Sequence, residues 1–532
     1  MLRSLDRPAQ AQAPARRGLP VWPCTVGVAV VLAAAFLLAP PMGTDLSAQQ
    51  ARADFAAGYG TAPIDFSWYG GVDQFGYSLL TGWLGAAVGV RVLGVLAALA
   101  SALVFQHLLR TGGARRPLLG GVLGALVFTA NLVSGRITFA VGLAFALLAL
   151  AAARVSGPRP LRLTLVATAA VLATWASPVA GLFGGLAGAA LLLAACSDGL
   201  RVRRPRAYWP EAVTLAVAPA VALVPMAALF SDGGMQPFTG DSLRIHIGLA
   251  VLVALTLPAR HRALRIGAVL TVVLLLAAYY LPSPVGSNAL RLPLLFTVPL
   301  VAAYANLSAP VLALVLAATC WWQPPVVTSD LHRAGSPESR AAFFRPLTDR
   351  LRALPPGRVE VVPLQDHWES AYVAPVAPLA RGWERQVDTA RNPIFYTDPL
   401  DPAGYAAWLR ADAVGYVAIA PAAVPDRYAQ AEATAVLRGV PGLTPVWQDA
   451  TWRLYRVDGP QPLVDAPATL VAADRGGVTL DSPGPARLVV RVRWSRWLTV
   501  RGPAARLAPG PAGWTELTTT APGRYRLTSS LT

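Results

Sequence analysis

"YSLLTGWLGAAVGV", Tyr77–Val90, decides how this chain threads. The stretch is apolar, yet its 14 residues fall short of the roughly 20 that a membrane-spanning helix needs. Longer apolar runs lie at 22–40, 91–109, 118–134, 136–153, 161–177, 179–196, 212–230, 243–258, 265–281, 291–305 and 308–322. Cytoplasmic loops carry the arginine excess in membrane proteins. The clusters Arg110/Arg115/Arg116, Arg154/Arg159/Arg162, Arg201/Arg203/Arg204/Arg206 and Arg260/Arg262/Arg265 occupy every second loop only if Tyr77–Val90 does not cross. We therefore read it as a re-entrant or interfacial piece of a first outer loop, 41–90.

Composition agrees with a membrane protein. The 532 residues are 55% hydrophobic and 14% charged, where soluble domains carry roughly 25% charged residues. The net charge of +17 is not a nucleic-acid signature. Residues 1–322 hold 22 basic and 9 acidic residues, whereas 323–532 hold 23 and 19, so the excess lies in the membrane half, and every basic residue is Arg. The apolar run Val26–Leu38 follows Arg3, Arg7, Arg16 and Arg17 without a convincing small-residue cleavage site, which reads as an uncleaved signal anchor. Cys24, Cys196 and Cys320 lie in or beside apolar runs, so no disulfide staples 323–532.

The expected organisation is a cytoplasmic segment 1–21, a polytopic all-α transmembrane domain 22–322 with about eleven spans, and two extracytoplasmic modules in a multi-pass protein of the cell membrane. From 323 to 458, "RVEVVPL" and "GYVAIAP" read as strands, "AGYAAWLRAD" and "AQAEATAVLRG" as helices, and "PVWQDATWRLYRV" as a closing strand pair, hence an α/β module. From 459 to 532, "GVTLDS", "ARLVVRVRWS", "WLTVRG" and "GRYRLTSS" read as short strands of an antiparallel β module.

No Asp, Glu, Lys or Arg sits in the middle of an expected span, which weighs against ion-coupled transport. P-loop, dinucleotide-fingerprint, H-E-x-x-H and Cys/His metal patterns are absent. The polar chemistry concentrates instead in "GTDLSAQQARADFAAGYGTAPIDFSWYGGVDQFGYS", Gly43–Ser78. A carboxylate there could take a proton from a sugar hydroxyl, as general-base work requires. Asp45, Asp54 and Asp73 are the candidates; Asp45 is equally placed to cap the helix-like "LSAQQARADFAAGY", and Asp65 reads as a turn residue. Trp68 and Tyr69 suit stacking on sugar rings or an interfacial aromatic belt. Guanidinium groups pair well with phosphate, and the outer-face arginines Arg52, Arg91, Arg136, Arg244 and Arg291 are few. Arg52, Arg136, Arg244 and Arg291 are candidate phosphate ligands, with His246 beside Arg244.

The stretches "WYGGVDQFGYS", "SGRITFAVGLAFALLAL", "SNALRLPLLFTVPL" and "LARGWERQVDTARNPIFY" are similar to a bacterial subgroup of the GT-C superfamily of integral-membrane glycosyltransferases. An acid just past the first span, a long outer loop and a C-terminal extracytoplasmic region also resemble that superfamily. The resemblance implies a GT-C-like fold and inverting transfer of a sugar from a polyprenyl-phosphate donor to a cell-envelope glycan, lipid or protein. It implies Asp45 as the base. The paired acid often seen in that loop is missing, since Thr44 and Leu46 flank Asp45. No cofactor is called for by the residues, and a divalent metal, Mg or Mn, is left open. The rival readings are a transporter or lipid flippase and a non-enzymatic envelope-assembly scaffold.

Overall fold

A computed structural model describes residues 21–199, 209–397 and 399–531. The N-terminal arginines and the cluster Arg201–Arg206 lie outside the described residues.

Each expected apolar run is a helix. These are α1 (Val21–Leu38), then, after two helices of the loop 41–90, α2 (Leu46–Tyr59) and α3 (Thr81–Val88), α4 (Val90–Thr111), α5 (Pro117–Val133), α6 (Ile137–Ala152), α7 (Arg159–Ala176), α8 (Pro178–Gly199), α9 (Trp209–Phe230), α10 (Gly240–Thr256), α11 (Arg262–Tyr280), α12 (Arg291–Tyr304) and α13 (Ala309–Trp322). Among the described residues five helical segments are long and apolar enough to cross a membrane, and four shorter apolar helices accompany them. Leu255, Leu314 and Trp321 point outward, as lipid-facing residues do. Tyr77–Val90 forms no span. Its helix α3 has 8 residues and ends at Gly89, whose φ of +86° turns the chain directly into α4. On the arginine-rich face Arg116 donates to the carbonyls of Ala305 (3.0 Å) and Leu307 (2.6 Å) just past α12, which satisfies acceptors a helix end leaves open.

Beyond α13 come α14 (Thr328–His332) and α15 (Ala341–Arg352), then a mixed four-stranded sheet. Its strands are β3 (Arg358–Val361), β4 (Val414–Ile419), β5 (Leu443–Gln448) and β6 (Arg453–Val457) in the order β3-β4-β6-β5, with β3 and β4 parallel. Helices α16 (Glu369–Tyr372), α17 (Arg385–Arg391), α18 (Pro402–Ala411) and α19 (Gln430–Arg438) accompany it. The last strands are β7 (Thr469–Asp474), β8 (Gly477–Ser482), β9 (Ala486–Arg493), β10 (Leu498–Arg501), β11 (Ala505–Pro509), β12 (Trp514–Thr519) and β13 (Gly523–Ser529). They form two antiparallel sheets, β10-β13-β8-β7 and β11-β12-β9, over a shared core that includes Leu480, Val490, Leu517 and Tyr525.

The loop 41–90 is not a tether. Its short strands β1 (Ile64–Asp65) and β2 (Val72–Asp73) pair as a hairpin that is buried throughout. Ile64 and Phe66 enter the core of the β module, and full burial of such side chains stabilises by about 1.5–3 kcal/mol each. Trp68 and Tyr69 enter the core shared by the helical body and the α/β module. Backbone bonds continue the insertion: Phe66 N to Arg475 O (3.0 Å), Leu379 N to Ser67 O (2.7 Å) and Arg493 N to Gly70 O (2.7 Å). Asp65 is fully buried, ion-paired with Arg475, and accepts the Ser67 amide at 2.9 Å. Arg475 also donates to Ala51 O at 2.9 Å, so the β7–β8 turn is fastened to α2.

Losing one partner of a buried ion pair leaves the other charge stranded, at about 3–5 kcal/mol. Asp65→Ala is therefore expected to lower the melting temperature of the purified protein sharply and open the 459–532 region to limited proteolysis. Asp54→Ala, on the exposed side of α2, should do neither. Equal behaviour of the two variants would refute the structural role of Asp65.

Candidate active site

Two tight turns make the site. The α1–α2 turn passes through Gly43 at φ +96°, and the α5–α6 turn through Gly135 at φ +73°. A Cβ at Gly43 would collide with the backbone of Val133–Gly135, and one at Gly135 with Leu46. Glycine is required at both for conformation and for contact. The amide of Asp45 donates to Ser134 O at 3.1 Å across this junction.

The junction brings Asp45 and Arg136 together, and Arg291 at the head of α12 meets them. Asp45 Oδ2 lies 3.7 Å from Arg136 Nε and 3.7 Å from Arg291 Nη2. That is Coulombic contact but beyond hydrogen-bond range, so the carboxylate is flanked rather than consumed. Although Asp45 stands at the N-cap position of α2, its side chain makes no capping bond. The three side chains keep 16–24% of their surface exposed, unlike most charged groups of this loop. Arg136 Nε is buried without a hydrogen-bond partner, a donor without an acceptor. The Arg291 guanidinium also lies 5.2 Å from the centre of the Phe139 ring, and Phe139 packs edge-on to Phe183 at 5.8 Å.

Phe183 opens onto a cavity of about 790 Å³ among α4, α6, α8, α10, α11 and α12, with mostly aliphatic walls. Leu292, the residue after Arg291, lines it too. Arg291 adjoins this apolar space through its chain neighbour Leu292 and through Phe139, which packs on Phe183 of the wall; Asp45, Arg136 and Arg291 do not themselves line it.

Below Asp45 runs a polar layer. Thr138 donates to the Gln49 side-chain carbonyl, Thr81 and Thr138 share a 3.0 Å contact, and the Gln49 amide donates to Tyr77 Oη at 3.1 Å. Above it comes Asp330, 3% exposed, which accepts a hydrogen bond from Ser134 and faces Arg136. Burial raises its pKa to about 6 despite that bond and Arg136. Arg333 pairs with Asp366 at 3.1 Å beside it. Sequence reasoning missed Asp330. The one available signal was its position: it lies eight residues past α13, as Asp45 lies seven past α1.

The other sequence candidates lie elsewhere. Arg52 is buried and ion-paired with Glu384, its guanidinium over Tyr77 (3.9 Å) and Trp68 (5.3 Å). It is a strut from α2 to the α/β module, not a free phosphate ligand. Trp68 is fully buried, donates to Ser370 O at 3.1 Å, and is covered by Gly382, where any Cβ would strike its ring. Tyr69 Oη donates to Gly382 O at 2.8 Å and accepts from Glu384 N. Neither ring has a free face for a sugar or for lipid headgroups, because both are spent on joining the loop to the module above. Asp54 is exposed and accepts from Gln50. Arg244 forms a solvated pair with Asp241. His246 is buried in α10 and donates from Nδ1 to Ser242 O at 2.8 Å. Arg91 donates to Ala39 O at 2.7 Å, stapling the end of α1.

Asp73 belongs to a second acidic cluster. Its amide donates to Asp232 Oδ2 at 2.7 Å, and Asp232 is paired with Arg391 at 2.5 Å. Burial, then the Asp232 charge, push the Asp73 carboxyl up to about 8. Among the described residues no three His, Cys, Asp or Glu are placed to hold a metal ion. With two guanidiniums facing Asp45, the residues present do not fit a divalent ion there.

No family model and no curated protein matches the chain. Among solved structures it is similar to the arabinofuranosyltransferase AftD from Mycobacteria, at 18% identity and TM-score 0.43. That match covers 89% of this chain and 41% of the other, so the chain spans less than half of that protein. It is also similar to the archaeal oligosaccharyltransferase AglB from Archaeoglobus fulgidus, in complex with an inhibitory peptide and a dolichol-phosphate (10% identity, TM-score 0.42, 75% and 69% coverage). A third similar structure is ArnT from Cupriavidus metallidurans bound to undecaprenyl phosphate (13%, 0.36, 82% and 98%).

A free Asp side chain titrates near 3.9, whereas Asp73 keeps its proton in the folded state to about pH 8. The stability linked to that proton is whole below the unfolded pKa and is lost as pH rises through the folded one. The melting temperature should therefore fall between pH 6 and 8.5, and Asp73→Asn, neutral throughout, should flatten the decline. An unchanged slope in the variant would rule this group out as its source.

Proposed function

We propose that the chain is a membrane glycosyltransferase of the GT-C type. It would move a sugar from a polyprenyl-phosphate donor to a glycan, lipid or protein of the cell envelope, at the face opposite the arginine-rich loops. One observation carries the reading: Asp45 stands between Arg136 and Arg291, and the residue after Arg291, Leu292, lines an apolar cavity. A lipid-linked sugar phosphate has the matching parts, a long apolar tail, a phosphate and a reactive anomeric carbon.

In this reading the tail lies in the cavity and the phosphate meets the two guanidiniums. Asp45 takes the proton of the acceptor hydroxyl as its oxygen bonds to the anomeric carbon. The carbon–oxygen bond to phosphate breaks in the same displacement, its electron pair leaving with the phosphate, and the anomeric centre inverts. Positive charge fixed in advance where negative charge develops lowers the barrier without reorganisation. The meeting of Asp45, Arg136 and Arg291 also favours an enzyme over a scaffold, which asks for no such convergence.

The test is a reconstituted transfer assay with radiolabelled polyprenyl-phosphate sugars. Asp45→Asn should lower kcat by about 10²–10⁴-fold, the usual worth of a general base, with donor binding kept. Arg136→Gln or Arg291→Gln should lower kcat/KM by roughly 10–100-fold, since bonds to charged groups contribute about 1.5–3 kcal/mol. Wild-type rates in Asp45→Asn would remove Asp45 as the base.

Asp330 adds a pH signature. Ionised above about pH 6, it competes with a phosphate for Arg136. Donor KM should rise as pH passes upward through 6 in the wild type and stay level in Asp330→Asn. A parallel rise in both would assign the effect to another group.

A further inference from the structure

The cavity has a second end. Along α12 its lining includes Leu292, Phe296, Leu300 and Tyr304, one face of the helix at every fourth residue. Twelve residues at 1.5 Å each make this a channel of about 18 Å. It begins beside Arg291 and finishes at the turn held by Arg116. There the walls change character: Arg154, Arg260, His261 and Arg262 line the cavity, with Thr111 and Tyr304.

Arg154 and Arg260 are exposed at this mouth, and Arg262 is half-buried. Arg154 donates to Thr111 Oγ1 at 3.2 Å and Arg260 to His261 Nε2 at 3.1 Å. His261 packs edge-on against Tyr304 at 4.6 Å. Among the described residues the carboxylate lining the cavity is Glu211, whose Oε1 is paired with Arg162 at 3.0 Å. Arg154 and Arg260 thus present two exposed guanidiniums to this end of the cavity. The neighbouring loops carry Arg110, Arg115 and Arg159, so this face is cytoplasmic by the positive-inside tendency.

We propose that an anionic phospholipid of the arginine-rich leaflet seats its phosphate at Arg154 and Arg260 and lays an acyl chain along α12. Basic pockets between membrane helices on the cytoplasmic side recognise anionic headgroups, and an aliphatic wall of this length gains many dispersion contacts from one chain. Position favours a phospholipid over a polyprenyl carrier. In the proposed reaction the carrier phosphate must lie beside Arg291, at the other end. The seat rests on the cavity and its arginines alone. Its corollary, that phospholipid and carrier tail exclude one another, rests also on the proposed reaction.

The experiment uses the full chain in phosphatidylcholine nanodiscs doped with phosphatidylglycerol bearing a photoreactive acyl chain, without any sugar donor. Crosslinks are expected in the α6, α8 and α12 peptides that line the cavity. The same acyl chain on phosphatidylcholine should label them at least tenfold less, since each arginine near an anionic surface is worth about a factor of five. Arg154→Gln/Arg260→Gln should cut phosphatidylglycerol labelling about thirty-fold on the same basis. Equal labelling by the two headgroups overturns the seat, and so does full labelling of a folded double variant. If that variant does not fold, the headgroup comparison on the wild type decides alone. Added undecaprenyl phosphate should displace the label; failure to do so overturns the exclusion. None of these readouts depends on sugar transfer, so an inactive enzyme would leave the seat standing and a failed seat would leave the enzyme reading intact.

Discussion

Two backbone turns that touch with no side chain between them hold the proposed site together. Gly43 and Gly135 let the α1–α2 and α5–α6 turns approach until the Asp45 amide reaches Ser134 O. Residue 136, one step beyond the second turn, then stands beside residue 45, and Arg291 at the head of α12 completes the group. A side chain at either glycine would part the turns, and Asp45 and Arg136 would separate with them. The proposed chemistry therefore depends on a contact that contains no chemistry of its own.

The loop 41–90 solves a different problem. Two modules follow α13, and a thin linker would leave them to swing. The chain instead threads an early segment, Ile64–Asp73, through both of them. The α/β module closes over Trp68 and Tyr69, the β module closes over Ile64 and Phe66, and Asp65–Arg475 fixes the seam. Arg391 holds the carbonyls of Tyr69 (3.1 Å) and Gly71 (2.6 Å) and pairs with Asp232 of the α9–α10 loop, so the membrane body joins the same assembly. A carboxylate at Asp45 and a neighbour at Asp330, contributed from distant parts of the chain, keep their relation because this assembly is packed rather than tethered.

The acids of this loop show how alike residues acquire unlike roles. Asp45, Asp54, Asp65 and Asp73 lie within one short stretch, yet one flanks two arginines, one is solvated, one is a buried ion-pair partner and one is a buried carboxyl that keeps its proton. Burial and the nearest charge separate them, and neither can be read from local sequence. Trp68 and Tyr69 make the same point. An aromatic pair at a membrane face suggests a belt or a sugar platform, but their surfaces are spent inside the interface.

What the chain determined by itself is whatever depends on periodicity and charge bias. Apolar run length sets the positions of the helices, the arginine alternation marks Tyr77–Val90 as a segment that does not cross, and Gly/Pro punctuation with alternating strands marks the two modules. Asp45, Arg136 and Arg291 were also legible as separate candidates, because an acid or arginine at the ends of apolar runs opposite the arginine-rich loops is rare. Tertiary structure alone decided which candidates meet. Asp45 lies far along the chain from Arg291 and farther from Asp330, and such partnerships come from helix packing and turn contact, which leave no trace in local pattern. It also decided that Arg52, Trp68, Tyr69 and Asp65 hold the modules together, since exposure is a property of what folds on top of a residue and not of the residue itself.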